Sequence, residues 1–407
     1  MVSVRPSAVA AVALVAAFIG ATGALAVGKA AGWLDDGGET YVVREANGSS
    51  PAAQISTGSD GAAGKPLPGN DFDPAAIYRE RAEGVVTVLA VFREGDSPGG
   101  EAQGSGFIVS EDGYVLTNAH VITTAGEGAG EPREAVRVYV VFRDGDRVDA
   151  ELVGFDPYDD VGVLKIDPEA HDLRPVPLGD SGEVEVGEPV AAIGSPFGQQ
   201  SSLSVGVVSA TERSIDSLTS RYSLVDAIQT DAPINRGNSG GPLLSARGLA
   251  IGINAQIRTD SGTAEGVGFA VPINSAVRSM EQLIESGAVR YAWVGITTQT
   301  ITPSLAAELR LDSERGAAVQ EVIEGSPAET AGLRAGTEER EIDGVPLNAG
   351  GDVILEIGGV AVESAEDVVR IVTNSLPGET VTFTVLREGE RVEVDVRYGE
   401  RPANPGS

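Results

Sequence analysis

The chain has no cysteine and only two histidines, His120 and His171. Without cysteine there is no disulfide, no thiolate nucleophile and no thiolate metal site. Two histidines are too few for a histidine-rich metal centre, so an imidazole base, if the chemistry needs one, must be one of these two. Positive charge is scarce as well. Lys and Arg number 29 against 60 Asp and Glu, for a formal net charge of −31. A nucleic-acid backbone or an acidic membrane face would be repelled, which argues against both as partners.

Long apolar runs are also few. One charge-free stretch, 6–28, follows Arg5 and contains Ala8-Val9-Ala10-Ala11-Val12-Ala13-Leu14-Val15. It reaches the roughly 20 residues that span a bilayer as a helix, although its alanine content makes it weakly hydrophobic. Ala24-Leu25-Ala26 has the small-x-small form of a signal-peptidase site. Signal anchor and cleaved signal peptide both remain open for 1–28; the length, beyond a usual signal core, favours the anchor and attachment to the membrane. Either exports the remainder, and Arg5 before the run with Asp35-Asp36 after it suits an N-terminus held inside. Residues 29–70 are polar and poor in large apolar side chains, which predicts a flexible linker.

Between 71 and 288 short apolar runs alternate with Gly, Asp and Ser turns. Examples are Val85-Val86-Thr87-Val88-Leu89-Ala90, Tyr114-Val115-Leu116-Thr117 and Val161-Gly162-Val163-Leu164-Lys165-Ile166. Many short strands with little helix between them predict an antiparallel barrel or sandwich. One helix closes the region, capped by Asn274 or Ser275, with Ala276, Met280, Leu283 and Ile284 on its packed face and Gly287 at its end. Residues 289–398 read as a separate α+β unit. There Ser326-Pro327-Ala328-Glu329 is a capping box, and Ser364 caps a second helix carrying Val368, Val369, Ile371 and Val372. Residues 399–407 are predicted to be a disordered tail.

Asn235-Arg236-Gly237-Asn238-Ser239-Gly240-Gly241-Pro242 places a serine between glycines that permit a tight turn and close approach of backbone N–H groups. A serine hydroxyl becomes a nucleophile only with a base to take its proton and donors for the oxyanion. His120, in Thr117-Asn118-Ala119-His120-Val121, is a candidate base, though a lone histidine at a strand end is more often structural than catalytic. His171 lies in a polar turn and reads as exposed. Among acids, Asp160 opens an apolar strand and is the best orienting carboxylate; Asp159 competes, and Asp156 stands behind both.

These three motifs, in this order, resemble the trypsin-like serine proteases of the HtrA/Deg family. The C-terminal unit resembles their PDZ domain in Trp293-Val294-Gly295-Ile296, Gly325-Ser326-Pro327-Ala328 and Gly351-Asp352-Val353-Ile354. The resemblance implies a mostly β fold: a trypsin-like double β-barrel with the site between barrels, then one α+β PDZ domain. By position it makes Ser239 the nucleophile, His120 the general base and Asp160 the orienting carboxylate. The N–H groups of Gly237 and Ser239 form the oxyanion hole. No metal or organic cofactor is implied. The implied activity is ATP-independent endopeptidase action on unfolded or damaged proteins; a non-catalytic chaperone or PDZ scaffold is the rival.

Ile234 is expected in the primary pocket, with Asn254, Ala255 and Gln256 in its wall. With no acid at Pro233 or Ile234, small aliphatic residues are the expected preference. In the PDZ unit a peptide C-terminus would add beside Ile296-Thr297-Thr298, its carboxylate near Trp293, Val294 and Gly295, with Val368 and Ile371 lining the groove. Residues 337–350 depart from the family pattern and read as an inserted hairpin about Asp343-Gly344. The resemblance also implies a homotrimer built by the start of the protease domain, through Phe72, Ile77 and Tyr78, and a triad that is disordered at rest in some members.

Overall fold

The computed structural model describes residues 72–94, 97–124, 133–195, 201–217, 219–220, 222–235, 237–255, 267–342 and 344–402. The expected leader and linker, 1–70, lie outside them, as does Gln256. Among the described residues no helix is long and apolar enough to cross a membrane.

Helix α1 (Pro74–Arg81) leads into a closed barrel of β1 (Val85–Glu94), β2 (Ser97–Ile108), β3 (Tyr114–Thr117), β4 (Arg137–Val141), β5 (Arg147–Asp156) and β6 (Val161–Lys165). A short helix, α2 (Ala119–Ile122), follows β3. The second closed barrel takes β7 (Pro189–Gly194), β8 (Ser202–Asp216), β9 (Ser223–Thr230), β10 (Pro242–Ser245), β11 (Ala250–Ala255) and β12 (Gly268–Pro272).

Strand alternation sends every second residue to a different face, and here both faces are covered. In barrel one, Val86, Val88, Ile108, Val115 and Leu164 fill the interior. Their neighbours Val85, Phe107, Leu116 and Val163 turn outward, onto a seam shared with Ala191, Ile193, Leu244 and Ile253 of barrel two. Barrel two keeps its own interior with Val190, Ala192, Leu243 and Ile251. Two-sided burial explains the nearly unbroken apolar runs. Each fully buried Ile or Leu on the seam contributes about 1.5–3 kcal/mol.

Helix α3 (Ile273–Ser286) packs on this seam through Ala276 and Leu283, with Met280 partly covered. Two expectations change here. Ile284 is 42% exposed, and the buried face instead includes Ser275 and Ser279. Neither Asn274 nor Ser275 caps the helix; Asn274 bonds Asp180 and Ser181, and Pro272 stands at the cap. Gly287 does end it, with φ +75°.

The C-terminal unit is a sheet in the order β14 (Ile296–Thr300), β15 (Ala317–Val322), β18 (Val353–Ile357), β20 (Thr380–Arg387) and β21 (Glu390–Arg397). β19 (Val360–Ala361) pairs with β18, and β13 (Ala292–Trp293) pairs with β22 (Gly399–Glu400). Residues 399–402 are therefore ordered, against the expected tail. Helices α5 (Pro327–Ala331) and α6 (Ala365–Thr373) cover one face, over Val319, Ile354, Phe383 and Val385. Helix α4 (Pro303–Leu309) and the hairpin β16 (Glu338–Ile342)–β17 (Val345–Ala349) cover the other, where Leu347 and Ala349 meet Val353 and Leu355. The inserted hairpin thus forms as expected, on the face away from α6. Ser364 and Asp367 make a reciprocal capping box. Ser326 caps α5, but Glu329 returns to the N–H of Gly325 rather than to that of the cap residue.

Tyr291, between the barrels and this sheet, is 2% exposed, and its hydroxyl donates to Asp156 Oδ2 at 2.5 Å. Tyr291→Phe deprives a buried carboxylate of a donor and is expected to cost about 1.5–3 kcal/mol. Urea unfolding measures this, and an unchanged midpoint would contradict it.

Candidate active site

His120 stands in the first turn of α2, where the chain leaves β3. Its Nδ1 lies 2.8 Å from Asp160 Oδ2, and its backbone N–H donates to Oδ1 of the same carboxylate at 3.0 Å. Asp160 has a left-handed backbone, φ +53°, uncommon for a residue with a Cβ. Its carbonyl holds that conformation by accepting from Ala119 N at 3.2 Å and Asn118 Nδ2 at 2.9 Å. Burial, the largest influence on the His120 ring, pulls its pKa down; the Asp160 charge and hydrogen bond together outweigh it and leave the ring raised.

Ser239 approaches from barrel two. Its carbonyl accepts from Ser105 N at 2.8 Å. A Cβ placed on Gly104 would meet both Val121 Cγ2, at 2.6 Å, and Ser239 O, at 3.2 Å. The serine loop therefore sits against β2 and the residue next to His120. Gly240, φ +87°, permits this contact, because a Cβ there would lie 2.0 Å from Ser105 O. Ser239 is 5% exposed, and its Oγ has no hydrogen-bond partner. His120 and Asp160 are thus joined, while the serine hydroxyl is not bonded to the imidazole. Among the described residues, no acceptor meets the N–H of Gly237 or Ser239.

The other two candidate acids face the opposite way. Asp156 accepts from Ser279 Oγ at 2.7 Å and from Tyr291, while Asp159 pairs with Arg278 Nη2 at 3.2 Å. Arg278 also reaches Asn374, the residue that follows α6. Of the three acids, Asp160 is the one bonded to His120. Sequence reasoning missed Arg278, Ser279 and Tyr291, for which no local pattern gives a signal.

The remaining candidates spread out. Ile234 is partly buried beside the Ala232 and Ile251 cluster, and Gly268 leaves it room, since a Cβ there would stand 2.5 Å from Ile234 Cγ1. Asn254 is fully buried, its amide donating to the carbonyls of Pro242 (3.0 Å) and Ile193 (3.4 Å), so it braces the serine loop from behind rather than presenting a side chain to a pocket. Ala255 is buried opposite Phe269. His171 stacks on Phe142 and bonds Asp144 at 3.0 Å. With Asp146 this makes a surface trio near enough to share a cation, though both carboxylates are exposed. In the C-terminal sheet Ile296 begins β14, an edge strand with β15 as its one neighbour among the described residues. Trp293 pairs with Gly399, Val294 is buried, and Gly295 has φ +82°. Val368 is closed into the core and Ile371 is half-buried. Ile77 is buried between the barrels, with Phe72 and Tyr78 packed beside it.

Residues 104–253 match the trypsin-like peptidase domain family, and residues 294–397 match the PDZ domain family. The structure is similar to that of the HtrA-type protease AlgW with a tripeptide, with a TM-score of 0.66 and 35% identity over 81% of this chain and 98% of that one. The chain belongs to the HtrA/Deg family. Curated relatives of this HtrA-family chain include proteins named "Probable periplasmic serine endoprotease DegP-like" from Hahella chejuensis, 40% identical over 304 residues, and Halomonas elongata, 41% identical over 309. The alignments take in 75% and 76% of this chain but 58% and 59% of those proteins, less than two thirds of their length.

Burial, then the Asp156 charge beside it, pushes the Asp159 carboxyl up to about 6, against the opposing pull of Arg278, Tyr291 and Arg401. An unfolded aspartate titrates at about 3.9. The folded state therefore holds this proton more tightly, and the contribution of Asp159 to stability declines as pH rises through that window. Asp159→Asn removes the effect. The Tm of the variant minus that of the parent should increase between about pH 4.5 and about pH 7.5; a flat or falling difference in thermal melts would contradict the assignment.

Proposed function

We propose that this chain is a serine endopeptidase acting by acyl transfer, with Ser239 as nucleophile, His120 as general base and then acid, and Asp160 holding the imidazole. The carrying observation is the two-point grip of Asp160 on His120, at 2.8 Å and 3.0 Å, together with a Ser239 whose buried hydroxyl has no hydrogen-bond partner among the described residues. Asp160 orients Nδ1–H toward itself, which leaves Nε2 free to accept the Ser239 proton. Ser239 Oγ then attacks a peptide carbonyl, and the N–H groups of Gly237 and Ser239 receive the oxyanion. His120 returns the proton to the leaving amine, and water releases the acyl-enzyme. A rotation of the Ser239 side chain completes the base–nucleophile bond on substrate binding; such bonds are often long in an empty site.

Unfolded proteins are the proposed substrates, cut after small aliphatic residues at a pocket containing Ile234. The edge of β14 that is unpaired among the described residues offers backbone groups to a peptide C-terminus, with Ile371 of α6 beside it. An exported location follows from the apolar leader, and the DegP-like relatives are named as periplasmic. A trimer through the start of the protease domain belongs to the same proposal.

Ser239→Ala should lower turnover of an unfolded protein by about 10⁶-fold and abolish fluorophosphonate labelling; unchanged turnover would support the scaffold alternative instead. The acid limb of kcat/KM should lie above the ordinary imidazole value of about 6.5, since activity is lost as His120 gains its proton. Asp160→Asn should move that limb to lower pH and cut turnover by about 10⁴-fold. A parent limb below the ordinary value would count against His120 as the base.

A further inference from the structure

Ser105 is fully buried on β2, and each of its polar groups is engaged. Its N–H donates to Ser239 O at 2.8 Å, and its carbonyl accepts from Thr117 Oγ1 at 2.7 Å. Its hydroxyl donates to Gly237 O at 2.5 Å and accepts from Ser195 N at 2.8 Å. One barrel-one residue thus grips the carbonyls on both sides of Asn238 and ties them to the end of β7.

The consequence lies in the peptide planes. The Gly237–Asn238 plane is held at both ends, its carbonyl by Ser105 Oγ and its N–H by Asn235 O at 2.9 Å. The Ser239–Gly240 plane is held likewise, by Ser105 N and by Asn254 O at 2.9 Å. Between them, Asn238 O accepts from Gly241 N at 2.9 Å, which leaves the Ser239 N–H as the free end of its plane. Gly237 has φ +101°, a conformation glycine adopts freely, so the anchored plane that follows is what restrains this residue on its C-terminal side. Among the described residues, the Ser105 hydroxyl is the one side-chain donor on that plane.

We propose that Ser105 is a positioning residue for the oxyanion hole: its hydroxyl fixes the Gly237–Asn238 peptide so that the Gly237 N–H faces the reacting carbonyl before substrate arrives. This rests on the endopeptidase reading above. Without the hydroxyl, Gly237 O and Ser195 N lose a partner together, and the plane is free to turn about the flexible Gly237 bonds. The loss falls on the transition state, because a ground-state carbonyl carries little charge for these donors to meet.

The test compares the full chain with Ser105→Ala on a fluorophore-labelled unfolded casein. Expected is a fall in kcat of about 10²-fold with KM within about twofold of the parent, the size of losing one oxyanion donor. Binding of a peptide aldehyde, which forms a tetrahedral adduct, should weaken in parallel. Thr87→Val is the control for lost packing, since Thr87 gives its buried hydroxyl to Ser195 Oγ at 2.6 Å without touching the serine loop; it should keep kcat. The inference is overturned if Ser105→Ala keeps its turnover, if its loss appears in KM, or if Thr87→Val falls as far. Should Ser105→Ala not fold, Ser105→Cys supplies the weak donor and Ser105→Thr restores the hydroxyl, and equal kcat in these two would overturn it. Ser239→Ala, run alongside, separates the readings: if it is inactive while Ser105→Ala matches the parent, the positioning role alone fails.

Discussion

A single carboxylate with no spare oxygen organises this molecule. Asp160 gives one oxygen to the His120 ring and the other to the His120 backbone, and its carbonyl is held by Asn118 and Ala119. The backbone conformation this demands, φ +53°, is costly by order 1–3 kcal/mol and persists because the surrounding bonds over-determine it. The loop leaves β5 at Asp156 and enters β6 at Val161, so it turns within a few residues while three of them are acidic.

Burial, and after it the neighbouring Asp156 charge, push the Asp159 carboxyl up, which is the penalty of placing acids in a buried turn. The penalty is tolerated because each acid has its own direction. Asp160 points to His120, Asp156 to Ser279 and Tyr291, and Asp159 to Arg278. Removing a partner from such a cluster is far more disruptive than the net value of any pair, since the remaining charge stays buried. Arg278 and Tyr291 thus hold the acids that neighbour Asp160 without touching His120.

Legibility in the sequence followed the range of the interactions. The strands β1, β3 and β6 are two-sided apolar runs and could be read directly, as could the hairpin about Gly344 and the cap at Ser364. The strand β5 could not, because its side chains are mostly exposed or half-covered and carry three charges before Asp156. Long, bulged β8 was missed for the same kind of reason: its register against β9 shifts three times, which scrambles the alternation. The motifs around His120, Asp160 and Ser239 were legible because tight turns need particular residues in adjacent positions. Asp160 stood ahead of Asp159 in the sequence because it opens the apolar strand, but the opposite directions of the two carboxylates, to His120 and to Arg278, are visible only in the fold. Ser105 and Tyr291 gave no local sign at all, for they meet their partners 132 and 135 residues away.

The same cluster blurs the boundary between barrel and PDZ unit. Tyr291 belongs by position to the second unit but contributes its hydroxyl to the first. Arg401, beyond the last long strand, lies over the rings of Tyr158, Tyr222 and Tyr291 at 5.4, 4.9 and 4.7 Å, and its guanidinium bonds Thr373 at the end of α6. Tyr158 sits inside the acidic turn itself. A cation held over three aromatic faces in a partly desolvated site is worth on the order of 2 kcal/mol per favourable ring, and its negative partners are the acids the turn already concentrates. Arg401, Tyr291 and the end of α6 therefore close on the side of the turn that His120 does not use. The acids that repel one another there are matched by Arg278 and Arg401, and the conformation in which they are matched is the one that delivers Asp160 to the imidazole.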